Sequence, residues 1–220
     1  MFVYLQDRMQ KFIPIFPLGL VAFPGEKINL HIFEPRYKQL IKECLDDTKT
    51  FAIPVVDKNE ILEYGTEMRV NAIVKTYEEG EMDINVEGLQ VIRVLEVVKE
   101  IPEKLYSGAV VSVVENIEDQ HSKTRHELEK LALELFRLLD IKEDVVKEGF
   151  TFQSFKLAHY VGFNLLEEFE LLRHPRETSR QKLIIEHIKR VLPSVKQVAE
   201  IRDKAKLNGH FRMINPPEFL

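Results

Sequence analysis

Seven histidines, one cysteine and a run of four carboxylates are the residues of this chain whose types could carry chemistry. His121 and His126 lie five apart, on different faces of any helix. Neither opens the His-Glu-x-x-His pattern that aims two imidazoles at one zinc ion. His31 alternates with apolar residues as in a strand, and His159, His174, His187 and His210 have no paired carboxylate at ligand spacing. Zinc needs several converging ligands, so these side chains read as structural or solvated and no metal is expected. Glu78, Glu79, Glu81 and Asp83 surround Gly80 without the alternating Asp order of a calcium loop. They read as a solvated hairpin tip. Cys44 falls on an apolar stripe, where a small core residue is the simplest reading; a nucleophile would need a polarising histidine and a lowered pKa.

The glycines give the same answer. A phosphate loop requires Gly-x-x-x-x-Gly-Lys-Ser/Thr, yet none of the nine glycines precedes a lysine. The dinucleotide pattern Gly-x-Gly-x-x-Gly and the serine elbow Gly-x-Ser-x-Gly are also missing. No catalytic and no cofactor-binding residue is therefore expected, and the chain is read as a non-enzyme.

The elements that would position any site fall into two parts of different period. In residues 11–117, short runs alternate in a β fashion: residues 12–16, 27–32, 51–56, 68–74, 82–86, 91–95 and 109–114. Pro24-Gly25 and residues 78–81 supply turns, and Gly88 predicts a bend. One helix interrupts the strands. Pro35 suits its first position, and Tyr37, Leu40, Ile41 and Cys44 make one apolar stripe. Residues 122–207 switch to helical period. Thr124 with Glu127, Asn164 with Glu167 and Thr178 with Gln181 read as capping pairs, and Ser154 as a cap. The longest helix carries Ile184, Ile188, Val191, Val195 and Val198 as its stripe and contains Pro193, which predicts a kink. Asn208-Gly209 predicts its end. A helix packed within its own bundle is expected rather than an intermolecular zipper.

The domain reading is a β-rich part at 1–117, a helical part at 118–208 and a tail at 209–220, with the boundary in the polar stretch 115–123. The chain has 220 residues and a formal charge of −5. Residues 1–117 hold 13 Lys and Arg against 19 Asp and Glu, and residues 118–220 hold 18 against 17. The acidic front part argues against nucleic acid, whose affinity comes from Lys and Arg on phosphates. A single cysteine excludes an internal disulfide and fits a reducing compartment. The start lacks a secretory pattern, and the uncharged stretch near it, residues 12–25, is too short for a membrane span. The expected address is the cytoplasm.

Stretches of the β-rich part resemble a known family. Phe16-Pro17-Leu18-Gly19-Leu20-Val21-Ala22-Phe23-Pro24-Gly25-Glu26, followed by Leu30-His31-Ile32-Phe33-Glu34-Pro35-Arg36-Tyr37, resembles the opening signature of the Lon protease substrate-binding domain. Gly65-Thr66-Glu67-Met68-Arg69-Val70 and Glu87-Gly88-Leu89-Gln90-Val91-Ile92-Arg93-Val94 are similar to later family segments, with Val91 where an aromatic is commoner. The resemblance begins near residue 11 and spans about 11–207. It implies an α+β fold, a PUA-like β-barrel lobe followed by a C-terminal helical bundle lobe. It implies a binding module without the ATPase and protease domains of complete Lon proteases. It also raises Met9 beside Met1 as the native start.

The expected function is a non-catalytic module that binds unfolded or peptide-like protein segments. The alternatives are a PUA-like RNA-binding protein and an adaptor docking on a larger complex through the basic stretch 196–206. The possible partner contacts are Phe33, Glu34, Arg36 and Tyr37. Each has a scaffold reading as well: Glu34 accepting backbone N–H groups at the helix start, and Arg36 pairing with a carboxylate across the lobe.

Overall fold

The computed structural model describes residues 10–46, 49–119, 121–141 and 153–210. Residues 1–9, including the alternative starts Met1 and Met9, lie outside the described residues, as does most of the expected tail. The fold is α+β, an antiparallel sheet followed by helices.

Six strands form the sheet: β1 Gln10–Pro14, β2 Lys27–Ile32, β3 Phe51–Asp57, β4 Glu60–Thr76, β5 Met82–Val98 and β6 Gly108–Val113. Their order is β1-β6-β5-β4-β3, with β2 added on β5. β4 and β5 are joined by a turn in which Tyr77 N–H donates to the Glu81 carbonyl at 2.8 Å and Gly80 takes φ +74°. Only glycine adopts that φ without cost.

The expected pair of short strands at 82–86 and 91–95 is one 17-residue strand. Gly88 makes no break there. The register against β4 shifts beside it, and a Cβ on Gly88 would lie 2.2 Å from the Phe23 carbonyl oxygen. The glycine thus admits the Phe23 turn against an unbroken strand. The length has a use. β4 runs along one edge of β5, while the other edge takes β2 over residues 82–87 and β6 over residues 92–98.

After β1 the chain forms isolated parallel bridges to β3, Ile15 with Ala52 and Leu18 with Val55. Helix α1, Pro35–Asp46, begins at the proline and buries Tyr37, Leu40, Ile41 and Cys44. These pack with Phe16, Ile32, Phe51, Ile53, Met68 and Ile84 in one core. Each such side chain contributes roughly 1.5–3 kcal/mol of burial free energy.

The helices are α2 Ser122–Leu138, α3 Ser154–Leu157, α4 Leu165–Arg173 and α5 Glu177–His210, with a 3₁₀ turn at Ala158–Tyr160. α2 packs along α5. Their core continues into the sheet through Val21, Phe23, Val55, Val91 and Val114.

Of the expected caps, Asn164 with Glu167 forms as a reciprocal box with both bonds at 3.0 Å. The others do not form. α2 starts at Ser122, so Thr124 is already inside its first turn, and Glu127 instead pairs with Lys189 at 2.6 Å. Ser154 is the first residue of α3 rather than its cap. α5 begins at Glu177, and its N-terminal groups are met by Asp119: the Thr178 N–H donates to Oδ1 at 3.0 Å and the Thr178 hydroxyl donates to the Asp119 carbonyl. α5 passes through Asn208-Gly209 to His210, and Pro193 lies within it. Its buried stripe is Ile184, Ile185, Ile188, Leu192 and Ala199, whereas Val198 is 65% exposed. A straight helix drifts from a heptad seam at 3.6 residues per turn, so the apolar face moves off Val198.

Candidate functional site

β2 is an edge strand. Its alternation turns Ile28, Leu30 and Ile32 toward the core and leaves Lys27, Asn29 and His31 exposed. Among the described strands it pairs with β5 alone. Its other edge therefore has backbone donors and acceptors with no strand against them, the arrangement to which an extended peptide can add.

The exposed face beside this edge is organised in cross-strand rows. Asn85 of β5 donates to Asn29 of β2 at 2.9 Å and accepts from Asn71 of β4 at 3.1 Å. One row along, Arg69 pairs with Glu87 at 3.0 Å, and Lys27 stands opposite Glu87 in register. In the other direction, Asp83 lies 2.7 Å from His31 Nδ1 and accepts from the Tyr77 hydroxyl at 2.8 Å. Those two bonds, His31 first, hold the Asp83 carboxyl below the usual carboxylate range.

The four expected contact residues follow directly, and the structure separates them. Phe33 is 57% exposed at the end of β2, with its ring stacked 6.1 Å from that of His31. Glu34 does not cap α1 with its side chain. Its carboxylate instead accepts from Arg36 Nε at 2.8 Å, and its backbone carbonyl receives the N–H groups of Tyr37 and Lys38. Arg36 accordingly pairs with this neighbour two residues back, not with a carboxylate across the fold. A carboxylate already within reach needs no long-range partner. Tyr37 is buried against Phe16 at 3.9 Å, and burial pushes its phenol pKa up. Phe33, at the end of β2, and Arg36, in the first turn of α1, are thus the exposed residues of the four.

The side chains singled out for chemistry are dispersed. Cys44 is buried, and burial pushes its thiol up to about 11. His187 is buried with Nε2 3.0 Å from the Val161 carbonyl. His159 lies between two glutamates, far from β2 in sequence. Glu78, Glu79 and Glu81 stand at the hairpin tip, and no group of three His, Cys, Asp or Glu among the described residues could hold a metal ion. No helix among them is long and apolar enough to cross a membrane.

Residues 13–190 match the family model of the ATP-dependent protease La (LON) substrate-binding domain. The chain belongs to the Lon substrate-binding domain family. Two solved structures share the fold. A Lon N-terminal domain protein from Xanthomonas campestris matches with a TM-score of 0.63 at 23% identity, over 80% of this chain and 98% of that one. The N-terminal domain of Mycobacterium avium complex Lon protease matches with a TM-score of 0.63 at 14% identity, over 81% of this chain and 98% of that one. The Lon-family segment takes in the whole sheet from Ile13 onward, α1 and the β2 edge, and it ends within α5.

The rows built on Asn29, Asn71, Asn85 and Tyr77 were not singled out from the sequence, and Asp83 was read only as part of a solvated hairpin tip. Alternation places Asn29, Asn71, Asn85 and Asp83 on the outer face of their strands, and Tyr77 follows the end of β4. That β2 lies beside β5 opposite β4 is not written in any local pattern.

Proposed function

We propose that this Lon-family chain is a non-catalytic module that binds extended, peptide-like segments of substrate proteins by strand addition to β2. The observation that carries the reading is the unpaired β2 edge ending in exposed Phe33. Strand addition draws affinity from backbone hydrogen bonds, which every unfolded polypeptide offers, and an apolar anchor at the strand end adds selectivity. The family's description as a substrate-binding domain supports the same reading. The buried, undissociated Cys44 thiol and the dispersed histidines support a non-catalytic role. The bridges of Ile15 and Leu18 to β3 support the finer view of the sheet as a PUA-like barrel. An RNA role is disfavoured because the cations beside β2 are matched by carboxylates such as Glu87.

The test is hydrogen exchange with and without an unfolded polypeptide, together with the Phe33→Asp variant. Added protection of amides in residues 27–32, and binding weakened on the order of tenfold in the variant, is the expected result. Unchanged exchange in β2 at saturating polypeptide would sink the strand-addition reading.

A further inference from the structure

A cleft of about 310 Å³ opens elsewhere on the sheet, and none of its lining residues belongs to β2. Its apolar lining comes from Ile15, Pro17, Ile61 and Val97. Its polar lining is Arg36, Tyr37, Lys99 and Ser107, with no carboxylate among the lining residues of a protein that is acidic over this part of its sequence.

Tyr37 and Lys99 have donors free, and Arg36 has one side free. Tyr37 is 7% exposed, and its hydroxyl makes no hydrogen bond among the described residues. The ring is buried while the hydroxyl oxygen reaches the cleft, which leaves it free to donate to a ligand there. Lys99 is exposed, and its ammonium makes no ion pair among the described residues, although Glu96 and Glu100 flank it in sequence. The Ser107 hydroxyl donates to the Lys99 carbonyl at 3.0 Å and ties that residue to the cleft. Arg36 places Nε and Nη2 on one oxygen of Glu34, at 2.8 and 2.7 Å, and lies 4.6 Å over the Tyr37 ring. Its Nη1 makes no hydrogen bond or ion pair among the described residues.

We propose that this cleft takes the C-terminal end of a polypeptide whose last residue is apolar. Lys99, the open side of Arg36 and the Tyr37 hydroxyl receive the terminal carboxylate, and Ile15, Pro17, Ile61 and Val97 receive the last side chain. The inference rests on the peptide-binding reading and adds a second subsite to it. Charge complementarity selects the carboxylate: the Lys99 ammonium, which has no ion pair among the described residues, meets the free side of Arg36 and a hydroxyl donor at an apolar lining. The size selects a chain end. At the small end of ligand-site volumes, the cleft has room for one apolar side chain and its carboxylate. An internal Asp or Glu would bring chain on both sides. Burial keeps the Tyr37 phenol protonated and able to donate.

The experiment compares two N-acetylated octapeptides of one sequence ending in leucine, one a free acid and one a C-terminal amide, titrated into the full chain. The acid binds tighter by on the order of tenfold, as a charge-assisted contact predicts. Lys99→Ala and Tyr37→Phe each shrink that ratio toward one. Tyr37→Phe keeps the ring against Phe16, and Lys99 is on the surface, so both variants are expected to fold; circular dichroism checks this. Equal binding of acid and amide overturns the cleft assignment and leaves the β2 reading standing. Unfolded polypeptide that fails to bind at all overturns the peptide-binding reading and the cleft with it. Binding of N-acetyl-leucine or octanoate as tightly as the octapeptide acid makes the cleft a small-carboxylate site and overturns the polypeptide assignment.

Discussion

His159 of the 3₁₀ turn lies between Glu26, just before β2, and Glu168 of α4. Its Nε2 is 3.1 Å from the first carboxylate and its Nδ1 2.7 Å from the second. The ring also packs 5.0 Å from Phe23. The bonds to Glu168 and then Glu26 push the imidazole from its ordinary 6.5 up to about 10. The sheet and the helices are therefore joined by a cationic histidine at neutral pH.

This has a pH consequence of definite sign. A pKa raised by folding adds stability that is fully present below 6.5 and is lost as pH rises toward 10. The difference in urea midpoint between the wild type and His159→Gln should be largest near pH 6 and shrink by pH 10. Parallel midpoint curves across that range would show that the clamp carries no stability.

A second prediction concerns Arg180 and Glu177, a fully buried pair with N···O 2.8 Å. Arg180 further donates to the Ser154 hydroxyl at 2.8 Å, to Asn116 and the His174 carbonyl at 2.7 Å each, and lies 4.1 Å over the Phe155 ring. Glu177→Gln leaves a buried guanidinium without its counter-charge. The expected loss is about 3–5 kcal/mol, read by urea unfolding. A loss below about 1 kcal/mol would mean that water reaches the guanidinium.

Gly88→Ala is the third. The new Cβ would meet the Phe23 carbonyl at 2.2 Å, a backbone atom that cannot rotate away. Either β5 or the Phe23 turn must shift, at about 1–3 kcal/mol. Because Phe23 also stacks on Phe155 at 5.3 Å, near-ultraviolet dichroism should change along with the melting temperature. An unaltered melt would mean that the turn yields freely.

Much of the fold was legible. The stripe Tyr37, Leu40, Ile41 and Cys44 is the buried face of α1, and the Asn164–Glu167 box forms as read. Both depend on residues within one or two helical turns. The site was legible only in part. Of the four expected contacts, Phe33 and Arg36 are exposed, Tyr37 is buried, and Glu34 pairs with Arg36. Lys99 drew no notice, since nothing near it in sequence connects it with Arg36.

By itself the sequence determined the class of fold, the family, the main elements and the lack of recognisable catalytic motifs, because period, turn chemistry and motif spacing are set by near neighbours in the chain. Tertiary structure decided the rest. It made β2 an edge by giving the other side of β5 to β2 and β6 in turn. It started α5 on Asp119, 59 residues before Thr178. It gathered Arg36, Tyr37, Lys99 and Ser107 around one cleft. These outcomes depend on which distant surfaces pack together, and the burial that drives such packing is non-directional and carries no address in local sequence.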